Sequence, residues 1–212
     1  DSKRVPESRP EWSVGIGFVR GNLGFAQWYF AVARWACLPF ALLGAYCVWQ
    51  WARDLYGNWA GLGAIALWML SPNMLAWSAT ICPDAAAAAL GVAAGYLFWR
   101  WLREPNWGNA VAAGVSLGLA QLAKLTWVVL FALWPLVWFL WRLTGPKNLP
   151  SVRGMGQGAQ LATALAIAVL TLNLGYAFEG SLTRLGEFTF VSRTLAGDDS
   201  LAEGGRGGNR FG

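Results

Sequence analysis

Three charged side chains stand where the surrounding sequence should have excluded charge. Arg34 opens a long apolar run, Asp84 sits in ICPDAAAAAL, and Lys124 interrupts a stretch that is otherwise apolar from Gly108 to Trp141. An ionisable group at membrane depth is costly unless it is paired, reaches the interface, or faces a water-filled cavity, so such residues carry a functional expectation. One carboxylate among two cations suits a site that holds a phosphate and orients a polar substrate, Arg offering a planar fork and Lys a point charge. Each residue also has a plain structural reading. Arg34 can reach out to headgroups, Lys124 can mark a turn, and Asp84, following Pro83, can cap a helix whose first N–H groups favour a carboxylate.

Other chemistry is limited by what the chain lacks. It contains no histidine, which removes the commonest general base and metal ligand and with them zinc and Ser-His-Asp chemistry for this stretch. Cys37, Cys47 and Cys82 have no paired spacing, so neither a disulfide framework nor a metal site is read from them. The string RGMGQGAQ at 153–160 has a glycine pattern that superficially suggests a phosphate loop, but no strand precedes it and an apolar segment follows. It reads as a flexible lead-in to that segment. The run Ala85–Ala89 with Gly91 and Gly95 gives a small-residue face suited to close helix packing.

The elements that must position these residues are membrane helices. Hydrophobic residues make up 56% of the 212 and charged residues 13%, against roughly a quarter charged in a soluble domain. Fifteen tryptophans fit the headgroup zone, where the ring is buried and its N–H stays wet. Apolar segments run over 35–52, 60–81, 85–99 and 159–177, each near the ~20 residues that cross a hydrocarbon layer, the third being short. The stretch 108–141 would reach about 50 Å as one helix. It is predicted to be two passes, 108–122 and 126–141, that turn at Lys124. The fold class is therefore all-α, a polytopic bundle of about six spans. Pro72 and Pro135 fall inside spans and are expected to kink them.

Lys and Arg in short loops set orientation. Arg53, then Arg100 and Arg103, then Arg142, Lys147 and Arg153 fall on one side, and Lys124 with Asp84 on the other. The first side is expected to be cytoplasmic, with both termini extracytoplasmic in a bacterial inner or plasma membrane. Residues 1–33 then form an aromatic-rich juxtamembrane segment, 34–177 the bundle, and 178–212 the start of an external loop or domain. The chain opens on Asp1 without a leader and closes on GGRGGNRFG, so both ends read as cuts in a longer polypeptide.

The order of motifs resembles a known superfamily. ARWACLPFALLGAYCVWQWARDLYG (33–57), AGLGAIALWMLSPNMLAWSATICPDAAAAAL (60–90) and GVSLGLAQLAKLTWVVLFALWPL (114–136) are similar to the second helix, the third helix with its external PDA turn, and the GLALGLAxLTKxT helix pair of GT-C membrane glycosyltransferases of the protein mannosyltransferase (glycosyltransferase family 39) and aminoarabinose-transferase type. The tail, FVSRTLAG through GNRFG, is similar to the start of the external region in some bacterial members. The resemblance implies an enzyme that moves a sugar from a polyprenyl-phosphate-linked donor to a protein, lipid or glycan acceptor on the outer membrane face.

In that family the catalytic acidic pair follows the first transmembrane helix, which would precede Asp1. Glu7 and Glu11 match no family motif. The resemblance therefore implies no catalytic residue within this chain, which is expected to be inactive alone, and carries over Arg34, Asp84 and Lys124 as groups that contact the lipid phosphate or position the sugar. A divalent cation, where the reaction uses one, is expected to bind outside this stretch. Partners are the sugar-carrying lipid, membrane lipids and an unspecified acceptor, with no nucleic acid. The competing expectations are a transporter or flippase half, which would show broken helices with charges near the midplane, and a noncatalytic scaffold subunit, which would need no ionisable cluster.

Overall fold

The computed structural model describes residues 10–144 and 154–188. Residues 1–9, 145–153 and 189–212 lie outside the described residues, and with them Glu7, Lys147, Arg153 and most of the expected external loop. The chain divides into two compact units, one of Phe30–Ala177 and one of Asp1–Tyr29 with Phe178–Gly212.

All regular structure among the described residues is helical. The helices are α1 (Pro10–Gly21), α2 (Ala26–Trp35), α3 (Leu38–Tyr56), α4 (Asn58–Leu70), α5 (Pro72–Ser78), α6 (Pro83–Arg103), α7 (Trp107–Ala123), α8 (Leu130–Thr144) and α9 (Gly154–Gly175), with 3₁₀ turns at Leu125–Val129 and Leu185–Glu187. Among the described residues, four segments are long and apolar enough to cross a bilayer: Ala26–Tyr56, Pro83–Arg103, Leu125–Thr144 and Gly156–Gly175. The pair α4 and α5 forms a fifth candidate bent by 57°. Helix α7 has 17 residues, at the lower limit for a span.

The six predicted segments fall on α3, α4–α5, α6, α7, Leu125–Thr144 and α9, and all but α7 are among the four to five candidate spans. The first candidate span starts at Ala26, so residues 26–33, expected to lie on the outer surface, are helical. The stretch 154–160, expected to be a flexible lead-in, is the first part of α9 instead. Its Gln157 and Gln160 accept hydrogen bonds from Trp138 Nε1 (3.4 Å) and Trp101 Nε1 (2.9 Å), which give this polar helix end partners inside the protein. The bend at Pro72 is present, its ring starting α5 after an extended Ser71. Pro135 is accommodated within the continuous α8.

Helix ends follow local chemistry. Asn106 caps α7 by accepting from the Asn109 N–H at 2.8 Å. Between α3 and α4, Gly57 has φ +91° and donates to Arg53 O at 2.8 Å, a left-handed backbone that L side chains rarely adopt. In the Phe30–Ala177 unit, α7 packs between α6 and α9, and α3 packs on α4 and α6. Close approach rests on glycine. A Cβ at Gly114 would strike the backbone of Ala164, and one at Gly118 would strike Thr171 and the Ala168 carbonyl.

Tryptophan serves two purposes. Trp12, Trp28, Trp35, Trp59, Trp77 and Trp107 are exposed, as headgroup-zone side chains should be. Trp101 and Trp134 are 2% and 3% exposed, and Phe98 stacks on Trp134 with ring centroids 4.3 Å apart. In the second unit, the Phe18 and Tyr29 rings lie 6.0 Å apart beside α1.

Candidate functional site

The end of the bundle that holds the start of α6 also holds the end of α7. Pro83 occupies the first turn of α6, where its missing N–H costs nothing, and Asp84 follows it. The position before them, Cys82, is extended and makes no side-chain cap. Asp84 thus lies in the first turn of α6, at the positive end of the helix where its position after proline placed it. Its Oδ1 also accepts from Lys124 Nζ at 2.7 Å.

Lys124 is delivered to Asp84 by a break in the backbone. Helix α7 stops at Ala123, Lys124 is extended (φ −158°, ψ 121°), and the chain continues as the 3₁₀ turn Leu125–Val129. The predicted turn is thus found at the predicted residue. Trp127, within the 3₁₀ turn, donates from Nε1 to Ala87 O at 3.0 Å, and its ring covers Gly91. The small-residue face of α6 is used here to seat an indole, which fixes the segment after Lys124 against the helix that carries Asp84.

The two side chains of the pair are 47% and 39% exposed, so both stay reachable from outside the bundle. An exposed pair in water contributes only about 0.2–1 kcal/mol to stability. Arg34, the third predicted residue, lies in the last turn of α2, is exposed, and makes no ion pair among the described residues. The structure therefore joins Asp84 to Lys124 and leaves Arg34 outside that bond.

Two features near this end were not singled out from sequence. Gln121, one helical turn before Lys124, is 3% exposed and its Nε2 lacks a partner among the described residues. A mid-helix glutamine among small residues gives no sequence pattern that marks it. An apolar cavity of about 390 Å³ lies between the start of α3 and the bent α4–α5 pair, lined by Leu38, Leu42, Trp68, Met74 and Leu75 among others. Trp68 resembles Trp127 in its setting: its ring covers Gly44 and its Nε1 donates to Ala41 O at 3.1 Å. Among the described residues no three Cys, Asp or Glu side chains gather as a metal ligand set.

The family model for dolichyl-phosphate-mannose-protein mannosyltransferase matches residues 24–176, which takes in α3 to α9, Arg34, Asp84 and Lys124. The chain belongs to this family. It is a mannosyltransferase-like member of the GT-C membrane glycosyltransferases, and its apolar helices make it a multi-pass integral membrane protein. No curated protein and no solved structure matches it. Within the mannosyltransferase match, the ion pair joins two of the motifs that carried the sequence resemblance, the PDA turn and the segment around Lys124.

Proposed function

We propose that this chain forms the donor-binding part of a glycosyltransferase that moves a hexose or pentose from a polyprenyl-phosphate carrier to a protein, lipid or glycan acceptor on the extracytoplasmic face. The observation that carries this reading is the 2.7 Å Lys124–Asp84 bond between the start of α6 and the end of α7. An ammonium has three N–H donors. One is directed to Asp84, and the others remain for phosphate oxygens. Asp84 acts as the positioning group that holds Lys124 at the site.

In this reading the apolar cavity between α3 and α4–α5 takes the first part of the prenyl chain, and the carrier phosphate lies toward Lys124, with Arg34 as a second cation. The acceptor hydroxyl oxygen attacks the anomeric carbon and the bond from that carbon to the phosphate oxygen breaks. The hydroxyl proton passes to a carboxylate that the family resemblance places outside this chain. The phosphate leaves with added negative charge, which a fixed cation stabilises more than it stabilises the ground state.

The test is binding of a polyprenyl phosphate without sugar to the intact enzyme in nanodiscs. Lys124→Gln and Arg34→Gln are each expected to weaken binding by about tenfold, the value of one charge-assisted hydrogen bond. Unchanged affinity in both variants contradicts the reading.

A further inference from the structure

At the other end of α6 lies a polar cavity of about 410 Å³, lined by Gln50, Asp54, Tyr96, Trp99, Arg100, Arg103 and Glu104. The α6 part of this lining, Tyr96 to Glu104, begins about 18 Å from Asp84, so the two cannot share a ligand headgroup, and the whole helix of 21 residues is about 30 Å long. The same length matches the hydrocarbon thickness. The last turns of α6 therefore stand at headgroup depth when Pro83 stands at the opposite interface.

The charges in the cavity are unequally satisfied. Tyr96 donates its hydroxyl to Asp54 Oδ2 at 2.9 Å, and Arg53 stands 3.7 Å from the same carboxylate. Arg100 and Arg103 make no ion pair among the described residues. Their guanidinium groups lie over rings, Arg100 over Tyr96 at 5.9 Å and Arg103 over Trp99 at 5.1 Å. A ring contact of this kind takes up no N–H donor, so both guanidinium groups keep donors for a ligand. Glu104 ends α6 with its backbone N–H bonded to Arg100 O, while its carboxylate has no ion-pair partner among the described residues. Two cations that keep donors and a free carboxylate thus share one wall, and Asp54 brings the lining to two positive and two negative groups.

We infer that this cavity is a binding site for a zwitterionic aminophospholipid headgroup, with the phosphodiester held by Arg100 and Arg103 and the primary ammonium by Glu104. A phosphodiester anion matches the planar donor edges of arginine. A lipid with anionic charge alone would leave Glu104 unmatched and facing repulsion, whereas a headgroup carrying both signs satisfies all three side chains. The neighbouring Trp99 ring supplies the amphipathic surface usual at that depth. The site lies outside the donor-binding reading above and stands whether or not that reading holds.

The experiment is native mass spectrometry of the intact protein released from nanodiscs containing equal amounts of phosphatidylethanolamine, phosphatidylcholine and phosphatidylglycerol. Phosphatidylethanolamine is expected to be retained preferentially. The double variant Arg100→Gln/Arg103→Gln is expected to lose that retention by about tenfold or more. Glu104→Gln, which alters only an exposed side chain at a helix end, is expected to keep a lipid bound while shifting preference from phosphatidylethanolamine toward phosphatidylglycerol. Monodisperse elution and an unchanged unfolding temperature confirm that each variant is folded. Equal retention of all three lipids by the native protein overturns the proposal, as does a lipid preference that survives the double arginine variant or is unmoved by Glu104→Gln. Binding of soluble phosphoethanolamine with no lipid preference also overturns it.

Discussion

The Trp127 indole donates to the Ala87 carbonyl at 3.0 Å while its six-membered ring lies over Gly91, in the space where a Cβ would stand. This contact ties the 3₁₀ turn after Lys124 to the helix that presents Asp84. Alanine at Gly91 gains up to about 1 kcal/mol of helix propensity, and overpacking of a filled site costs about 1–3 kcal/mol. The collision with an aromatic ring should win. Gly91→Ala is expected to lower the unfolding temperature in detergent and to shift tryptophan fluorescence. A higher unfolding temperature would show that the ring is not held there.

A second prediction concerns the buried bond from Trp101 Nε1 to Gln160 Oε1 at 2.9 Å, which joins α6 to α9. Trp101→Phe removes the donor and leaves Gln160, 3% exposed, without it. An unsatisfied buried acceptor costs about 1–3 kcal/mol, and the smaller ring adds a cavity. Adding Gln160→Leu should recover part of the loss, because the orphaned polar group is then gone. A double-mutant cycle on unfolding free energies checks this, and strict additivity would mean that the two side chains do not interact.

Glycines in this chain should respond to alanine according to what lies beside them. At Gly114 the obstacle is the backbone of Ala164, which cannot rotate away, whereas at Gly63 no atom lies within 4 Å. Gly114→Ala is expected to separate α7 from α9 and destabilise by about 1–3 kcal/mol. Gly63→Ala should be neutral or stabilising by up to about 1 kcal/mol. Thermal unfolding of the two single variants provides the comparison, and the reverse order would contradict the packing described for α7 and α9.

Much of this architecture was legible in the sequence because membrane helices must satisfy their own backbone and so declare themselves as long apolar runs. Length required a break, since no bilayer accommodates a helix running from Gly108 to Trp141, and the one charge in that stretch located it at Lys124. The pairing of Lys124 with Asp84 was not legible, because it depends on α7 docking beside α6, a contact between residues far apart in the chain. Proximity to proline placed Asp84 in the first turn of a helix, where it is found, and that local role says nothing of its tertiary partner. The glycine at 91 read as part of a helix-packing stripe, whereas its neighbour proved to be an indole. Helical structure at 154–160 was hidden by three glycines, whose propensity argues against a helix, while the partners of Gln157 and Gln160 lie on other helices, α8 and α6. The cavity around Arg100 and Arg103 was hidden for a related reason: both residues were accounted for by orientation, which says nothing of the partners they lack.

Lys124 and Asp84 are proposed to act together on the donor phosphate, and sugar transfer tests that directly. The measurement is the rate of transfer from a polyprenyl-phosphate-linked donor by the complete enzyme in proteoliposomes, with Lys124→Ala and Asp84→Ala compared with the native protein. Lys124→Ala should lower the rate by about a hundredfold, the scale on which loss of one fixed group facing transition-state charge is felt. Asp84→Ala should lower it by about tenfold, the value of one charge-assisted hydrogen bond. Native rates in both folded variants would contradict the account.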